Sequence, residues 1–234
     1  MYEAVHATPD GDSTVARQAA TAAEYGFDGV VVRNHSDARA DYDADRVAAE
    51  YGLDVVEGVE IRADDRSRAS GHVGNFRPKT TVLLLHGGSN DLNRFAVESD
   101  RVDVLAHPMR GQGDFNHVLA KAAADNGVHV EFDLSRVLRD DGGPRVQALQ
   151  DLRKLRELVE KYDAPYVVSA DSRTHLQLRA PRELHAVGET VGFSRDQVET
   201  GLQEWGRLAE RNRERQSDAF IGPGVKRGRY EEDD

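Results

Sequence analysis

Seven short apolar runs, rich in β-branched residues, alternate with longer segments that have helical spacing. The runs lie at residues 2–6, 27–33, 54–61, 80–86, 102–107, 128–134 and 166–170. Strands that alternate with helices pair in parallel, and their crossover connections are right-handed. Because no glycine-rich dinucleotide fingerprint follows any of these strands, a closed barrel is favoured over an open sheet. The sequence therefore predicts an α/β fold, a TIM-like (βα) barrel.

The segments between and after the strands carry the apolar spacing and the capping residues of helices. We expect helices at residues 15–23, 43–51, 91–98, 114–126, 144–162, 181–191 and 195–205, and a flexible loop at residues 71–75. A single barrel domain is predicted for residues 1–206. Residues 207–234 are charged and poor in apolar side chains, so we expect a C-terminal helix or tail that is partly disordered without a partner.

Composition excludes several classes of protein. The chain has no cysteine, which rules out a disulfide scaffold and cysteine-ligated zinc or iron–sulfur sites. Its apolar runs are far shorter than the ~20 residues of a membrane span, and its first residues lack the pattern of a signal peptide. We therefore expect a soluble, cytoplasmic protein that does not bind a membrane.

The charged residues are strongly biased toward arginine over lysine and toward acids over bases. The chain has 26 Arg and 5 Lys against 25 Asp and 17 Glu, with a net charge of −11. This balance indicates a halophilic protein rather than an ordinary acidic one, because molar salt screens self-repulsion within ~3 Å and acidic groups keep the surface hydrated. Acidity normally argues against a nucleic-acid partner. In molar salt, however, binding depends on short-range arginine contacts, so acidity does not exclude an RNA partner.

Polar side chains that could carry chemistry follow almost every predicted strand. In a parallel barrel the carboxyl ends of all strands meet at one rim, where such folds place their sites. Imidazoles and carboxylates gathered there would suit a divalent metal. Each residue also has a simpler interpretation: a histidine can hydrogen-bond a loop, Glu60 can pair with Arg33 or Arg62, and Asp171 can cap a turn. The rim residues are His6, Arg33, His35, Glu60, Arg62, His86, His107, Glu131, Asp133, Asp171 and Arg173.

The strand ends resemble motifs of a known class. VHATPDG, VVVRNHSD, GVEI, LLLHGG, VLAHP and VVSADSR occur in the order found in metal-dependent phosphoesterases of the polymerase-and-histidinol-phosphatase (PHP) class. More closely, residues 1–206 resemble the protein component 3 family of archaeal and eukaryotic ribonuclease P, a barrel relative of those enzymes. The most specific part of this likeness is SADSRTHLQLRAPRELHAVGETVGF.

Two positions depart from the phosphoesterase pattern. Thr8 stands where that class has the second His of its first motif, and Arg173 stands where it has the last His. An arginine at such a rim repels a metal ion and favours a phosphate. The resemblance thus implies an eroded metal site, and we expect neither a tightly bound metal nor catalysis by the isolated chain. The remaining members of the eroded site are His6, His35, Glu60, His107 and Asp171.

The resemblance implies a subunit of ribonuclease P, which cleaves the 5′ leader from precursor tRNA. In that enzyme the RNA component carries catalysis with Mg²⁺, and protein subunits support RNA folding and substrate binding. The implied partners are ribonuclease P RNA, a small α/β protein subunit, other ribonuclease P proteins and precursor tRNA. Two alternatives remain: an independent PHP-type metal-dependent phosphoesterase, and a non-catalytic binding module unrelated to RNA.

Arginines near the predicted rim are the candidate contacts to RNA or to a protein partner. Guanidinium groups match phosphate and carboxylate geometry through paired N–H donors. The opposing interpretation is that they pair with Glu60, Asp171 and Glu183 inside the barrel mouth. The candidates are Arg33, Arg62, Arg173, Arg179 and Arg182.

Overall fold

The computed structural model describes residues 1–217, 220–222 and 225–226. Seven parallel strands form one sheet in chain order, with each strand hydrogen-bonded to the next. They are β1 (Tyr2–Val5), β2 (Gly29–Val32), β3 (Asp54–Ile61), β4 (Val82–His86), β5 (Val104–Ala106), β6 (His129–Asp133) and β7 (Tyr166–Ser169). A parallel bridge between Val5 and Ser172 joins the two edges. The sheet is thus a nearly closed barrel, and the predicted fold class is confirmed.

Helices surround the barrel. They are α1 (Val15–Glu24), α2 (Ala44–Tyr51), α3 (Arg66–Phe76), α4 (Asn90–Val97), α5 (His117–Asn126), α6 (Ser135–Arg139), α7 (Gly142–Tyr162), α8 (Pro181–Val191) and α9 (Arg195–Gln216). Side chains that accept a backbone N–H at the first turn explain where several of them begin. These N-caps are Thr14, Asp43, Asp65, Ser89, Asn116 and Ser194. Among the described residues, no helix has both the length and the apolar character needed to cross a membrane.

Helix α3 corrects the prediction of a loop at residues 71–75. Its two glycines lower helix propensity, which made the segment look like a loop. Asp65 nevertheless caps the helix by accepting the N–H of Arg68, and Ala69 and Val73, four residues apart, are both buried. Tertiary burial of one face therefore outweighs the local propensity. The short helix α6 was not predicted either.

Helix α9 lies against the seam between β7 and β1. The carbonyls of Pro165 and Ser169 accept the backbone N–H groups of Val130 in β6 and of Leu134, the residue after β6. Because backbone groups alternate sides along a strand, the carbonyl of Val168 faces the seam instead. The indole N–H of Trp205 donates to that carbonyl at 2.9 Å, and Trp205 is wholly buried. Helix α9 therefore fills the place where an eighth strand would otherwise close the barrel.

Two glycines let α9 approach the seam closely. A Cβ on Gly201 would lie 2.6 Å from Val168 Cγ2, and one on Gly206 would lie 2.6 Å from Tyr2 Cε2. The helix runs past the expected domain end at residue 206, with Leu208, Ala209 and Asn212 buried. Strands β8 (Phe220–Gly222) and β9 (Val225–Lys226) then form an antiparallel pair. The rest of the predicted tail, residues 218–219, 223–224 and 227–234, lies outside the described residues.

The strands separate two apolar clusters. The larger one packs between strands and helices. The smaller one lies inside the barrel and is joined by the buried face of α9. Its members are Ala4, Val31, Val56, Val82, Leu84, Val104, Ala106, Val167, Trp205, Leu208 and Ala209. This inner cluster fills the amino-terminal part of the barrel and leaves the carboxyl end to polar side chains.

Candidate functional site

Strand periodicity places the polar residues above the inner apolar cluster. Side chains two residues apart on a strand point to the same side of a sheet. His6 follows Ala4 by two positions, Arg33 follows Val31, and His86 follows Leu84. Glu60 on β3, Glu131 on β6 and Asp171, two residues after β7, complete a ring of polar side chains inside the barrel mouth. The ring is buried, apart from His86, which is partly exposed.

Arg33 occupies the centre of this ring. Its guanidinium donates to Glu60 Oε2 from Nε at 2.9 Å and from Nη2 at 2.6 Å. It also donates to both carboxylate oxygens of Glu131, and it lies 3.9 Å from Asp171. Arg33 and both glutamates are 0% exposed. One buried cation therefore pairs with two buried carboxylates, and buried charges are tolerated when they are paired and hydrogen-bonded in this way.

Four imidazoles line one side of the ring. The centroids of neighbouring imidazoles are 4.9 Å apart for His6 and His35, 5.7 Å apart for His35 and His86, and 4.7 Å apart for His86 and His107. Each faces a carboxylate: His86 Nδ1 lies 2.5 Å from Glu60, and His6 Nε2 lies 3.0 Å from Asp171. The sequence analysis placed all four at the rim, and the structure brings them together.

Asp10 holds two of these histidines and was not predicted. Its Oδ2 lies 2.7 Å from Nδ1 of both His6 and His35, and it accepts the backbone N–H of His35 at 2.8 Å. Arg173 donates to the backbone carbonyl and the side chain of the same residue. The turn signal Pro9-Asp10-Gly11 directly after β1 was the available clue. A Cβ on Gly11 would lie 2.5 Å from the His6 carbonyl, which explains the glycine.

His107 connects the ring to the far side of the mouth. Its Nδ1 lies 3.0 Å from Asp133, and its Nε2 lies 3.5 Å from Glu60. Burial disfavours a charged imidazole, but the charges of Glu131 and Glu60 outweigh this and raise the pKa of His107 to about 10. Arg110 donates to Asp133 at 2.7 Å and lies 3.5 Å from Asp171.

The same balance acts on the acids of the ring. Burial alone would raise the pKa of Glu60, but the charges of Arg33 and His107 hold it well below its usual value. For Asp10, burial is outweighed by hydrogen bonds from His35 and His6, and its pKa is lowered. For Asp171, burial is outweighed by the hydrogen bond from His6 and the charges of His107 and Arg33, so its pKa also falls well below the usual value. These carboxylates are therefore ionised near neutral pH and hold the neighbouring cations.

Three groups of side chains have ligand atoms close enough to surround a metal ion. They are His6, Asp10 and His35; His35, Glu60 and His86; and His107, Asp133 and Asp171. Every carboxylate in them, however, already lies within ion-pair distance of a guanidinium: Arg173 for Asp10, Arg33 for Glu60, and Arg110 for Asp133 and Asp171. The carboxylates of all three groups are therefore already engaged in ion pairs with arginines.

The five predicted contact arginines separate into different environments. Arg33 is buried inside the ring, so it cannot reach an RNA or protein partner, and for this residue the prediction of a contact is wrong. Arg173 is 42% exposed at the mouth. Arg62 is 47% exposed and pairs with Asp37. Arg179 donates to the carbonyls of Leu176 and Leu178.

Arg182 is exposed on α8. Glu183, its expected partner in the opposing interpretation, accepts the N–H of Ala180 at the start of that helix instead. The opposing interpretation, that these arginines pair with acids inside the barrel mouth, therefore holds for Arg33, which pairs with Glu60. It does not hold for the expected pair of Arg182 and Glu183. Arg110, which the prediction omitted, belongs to the mouth.

Comparison with known proteins identifies the family. The family model described as RNase P subunit p30 matches residues 1–217. A protein of Haloarcula marismortui named ribonuclease P protein component 3 is 66% identical over 226 residues, covering 97% of this chain and 96% of the relative. A protein of the same name from Halorubrum lacusprofundi is 61% identical over 240 residues, covering 100% of this chain and 100% of the relative. In Methanosarcina acetivorans the identity is 40%, over 83% of this chain and 81% of the relative.

Solved structures agree with this result. A chain in the cryo-EM structure of archaeal ribonuclease P with mature tRNA superposes with a TM-score of 0.83 at 25% identity, over 100% of both chains. Histidinol phosphate phosphatase from Lactococcus lactis, solved with zinc, L-histidinol and phosphate, shares the fold with a TM-score of 0.58 at 11% identity, over 82% of this chain and 94% of that one. The barrel thus shares its fold with this phosphatase. The relatives from Haloarcula and Halorubrum are halophilic archaea. This chain belongs to the ribonuclease P protein component 3 family, which the matching family model describes as RNase P subunit p30.

Proposed function

We propose that this chain is a protein subunit of ribonuclease P, the ribonucleoprotein that cleaves the 5′ leader from precursor tRNA. One observation carries the proposal: the whole chain matches a whole chain of an archaeal ribonuclease P solved with mature tRNA. In this role the protein supports the RNA fold and substrate binding, and the RNA component performs hydrolysis with Mg²⁺. Its partners are the ribonuclease P RNA, a small α/β protein subunit, other ribonuclease P proteins and precursor tRNA.

The ring at the barrel mouth supports a non-catalytic role for the isolated chain. An independent phosphoesterase of the PHP type needs carboxylates and imidazoles that are free to bind metal ions. Here Arg33 holds Glu60 and Glu131 in a buried ion-pair network. The ring instead fixes the ends of the strands relative to one another, which gives the surrounding loops a defined shape.

Exposed arginines around the mouth supply the contacts in this proposal. Arg62, Arg173, Arg179 and Arg182 are at least partly exposed. Long-range attraction to RNA is weak for an acidic protein in molar salt. Contacts of this kind therefore act at hydrogen-bond distance, where a guanidinium binds a phosphate through paired donors.

Reconstitution tests the proposed function. Ribonuclease P RNA from the same organism is assembled in molar KCl with all protein subunits, and again with this chain omitted. We expect omission to reduce cleavage of precursor tRNA and readdition to restore it. The isolated chain, tested with Mn²⁺, Zn²⁺ or Mg²⁺, should hydrolyse neither p-nitrophenyl phosphate nor precursor tRNA. Metal-dependent phosphatase activity of the chain alone, with no effect of omission on cleavage, would instead establish the independent phosphoesterase.

A further inference from the structure

A wide basin opens beside the ring, above the carboxyl ends of β5, β6 and β7. Its volume is ≈ 1090 Å³, and it is bordered by the loop after β5, by helix α6 and by the first half of α7. Its charged lining includes Arg110, Arg139 and Arg173. This size exceeds what a single ion needs and is sufficient for a nucleotide.

Most charges around the basin are already paired. Lys154 pairs with Asp114, and Arg136 pairs with Asp140 and Asp151. Asp171, the remaining acid of the lining, lies against His6 and Arg110. These pairs leave no acid of the lining without a basic neighbour.

Arg139 differs from these residues. Its Nη2 donates to the backbone carbonyls of Ala170 and Asp171 at 2.8 and 2.9 Å. Within residues 1–217, no carboxylate lies at ion-pair distance from its guanidinium, and its Nη1 is buried without a hydrogen-bond partner. In a protein with 42 acidic and 31 basic residues, a half-buried arginine without an acidic partner is an unusual choice. An N–H group of a charged side chain left unsatisfied in this way is costly.

Arg110 shows the same deficiency independently. Its Nη2 bonds to Asp133 and Ser135, but its Nε is buried and has no hydrogen-bond partner among the described residues. Two guanidiniums that border one cavity therefore each keep an unused donor. Arg173 adds a half-exposed guanidinium to the same lining. An anion with several acceptor oxygens would satisfy these donors together, as a phosphate group does.

We propose that Arg110 and Arg139, assisted by Arg173, form a binding site for a backbone phosphodiester of RNA in this basin. The proposal rests on the function as a ribonuclease P subunit and adds a location and a donor set to it. An RNA phosphodiester suits the site because its non-bridging oxygens accept from both guanidiniums, while the attached nucleosides occupy the remaining volume of the basin. A carboxylate of a protein partner is the competing ligand.

The resonances of the arginine Nε–H groups report directly on this site. The full chain is labelled with ¹⁵N-arginine in molar KCl, and the Arg110 resonance is assigned by its loss in Arg110→Lys. The probes are a uridine dinucleoside monophosphate, inorganic phosphate and acetate. We expect a saturable shift of the Arg110 resonance with the dinucleotide and a weaker response to inorganic phosphate. Arg139→Gln should reduce the affinity for the dinucleotide about tenfold, because one charge-assisted contact is lost.

Matched variants distinguish the site from general effects. Arg94→Gln changes an exposed arginine of α4 that pairs with Glu98 and is not part of the basin lining, so it should leave the dinucleotide affinity unchanged. Arg139→Lys keeps the positive charge but loses the paired N–H donors of the guanidinium. We expect this variant to fold like the parent and to bind the dinucleotide weakly. Thermal melts of each variant monitor folding.

Each result decides the matter. No saturable shift of Arg110 with any probe, or equal affinity in the parent, Arg139→Gln and Arg139→Lys, overturns the site. A saturable response to acetate alone would show that the site binds a carboxylate, as on an acidic protein surface, and would also overturn the proposal. Cleavage by the enzyme reconstituted with the parent chain tests the proposed function separately. If cleavage depends on this chain and Arg139→Gln cleaves and binds normally, the function stands and the site falls.

Discussion

Replacement of Arg33 by methionine tests whether the ring is held by internal ion pairing. Arg33 and its two glutamate partners are 0% exposed. The variant therefore leaves two carboxylates in the barrel without their guanidinium. Breaking a buried pair costs ~3–5 kcal/mol because an uncompensated charge remains, and with two carboxylates affected we expect the upper end, about 5 kcal/mol. For a chain of this size, such a loss lowers the melting temperature by about 10–20 °C.

The assay is thermal unfolding in molar KCl, followed by circular dichroism. Arg94→Met is the matched control, since Arg94 is 63% exposed and pairs with Glu98 at 2.7 Å. Exposed pairs contribute ~0–1 kcal/mol, so this control should melt near the parent. Adding Glu60→Gln and Glu131→Gln to Arg33→Met removes the stranded charges and should recover part of the loss. An Arg33→Met protein that melts with the control would refute the reasoning, as would a triple variant no more stable than the single one.

Four further outcomes are expected. Protein purified without chelator should contain no stoichiometric divalent metal by elemental analysis, because guanidiniums already occupy the ring carboxylates. Dialysis from molar to about 0.1 M KCl should loosen the fold, as circular dichroism would show, since the Debye length then grows to ~10 Å and the net charge of −11 is less screened. Burial raises the pKa of Glu3 from 4.5 to about 8; its stabilising contribution is therefore complete below pH 4.5 and lost as the pH rises through 8, and melts of Glu3→Gln should show a flatter decline over this interval. Arg182→Ala should weaken cleavage by the reconstituted enzyme about fivefold, which corresponds to about 1 kcal/mol for one lost contact, with an unchanged melting temperature; a lowered melting temperature would count against a surface contact.

The strands were predictable because strands buried on both faces read as continuous apolar runs. All seven runs contain the observed strands, from Tyr2–Val5 to Tyr166–Ser169. Helix α3 was missed because its glycines act locally, whereas the burial that stabilises it depends on the finished barrel. The extent of α9 was missed for a related reason: its last turns are charged, and contacts such as Asn212 with Asp103 and Thr81 become visible only in the fold.

The site was predictable in membership but not in arrangement. Its residues lie at strand ends, and parallel strands bring such ends together, so the gathering of histidines and carboxylates followed from topology. The position of Arg33 at the centre did not follow, because a spacing of two from Val31 fixes the side of the strand but not the partner of the guanidinium. Asp10 and Arg139 lie in a turn and in a short helix, where no periodicity indicates direction.

The seam between β1 and β7 has a consequence for synthesis of the chain on the ribosome. The side chain that occupies the seam, Trp205, lies about two hundred residues after the first strand it joins. During translation, the exposed edges of both strands must wait for this late helix, and such edges are templates for association with other chains. The chain has a single tryptophan, so its fluorescence provides a built-in signal for the moment at which the barrel becomes complete.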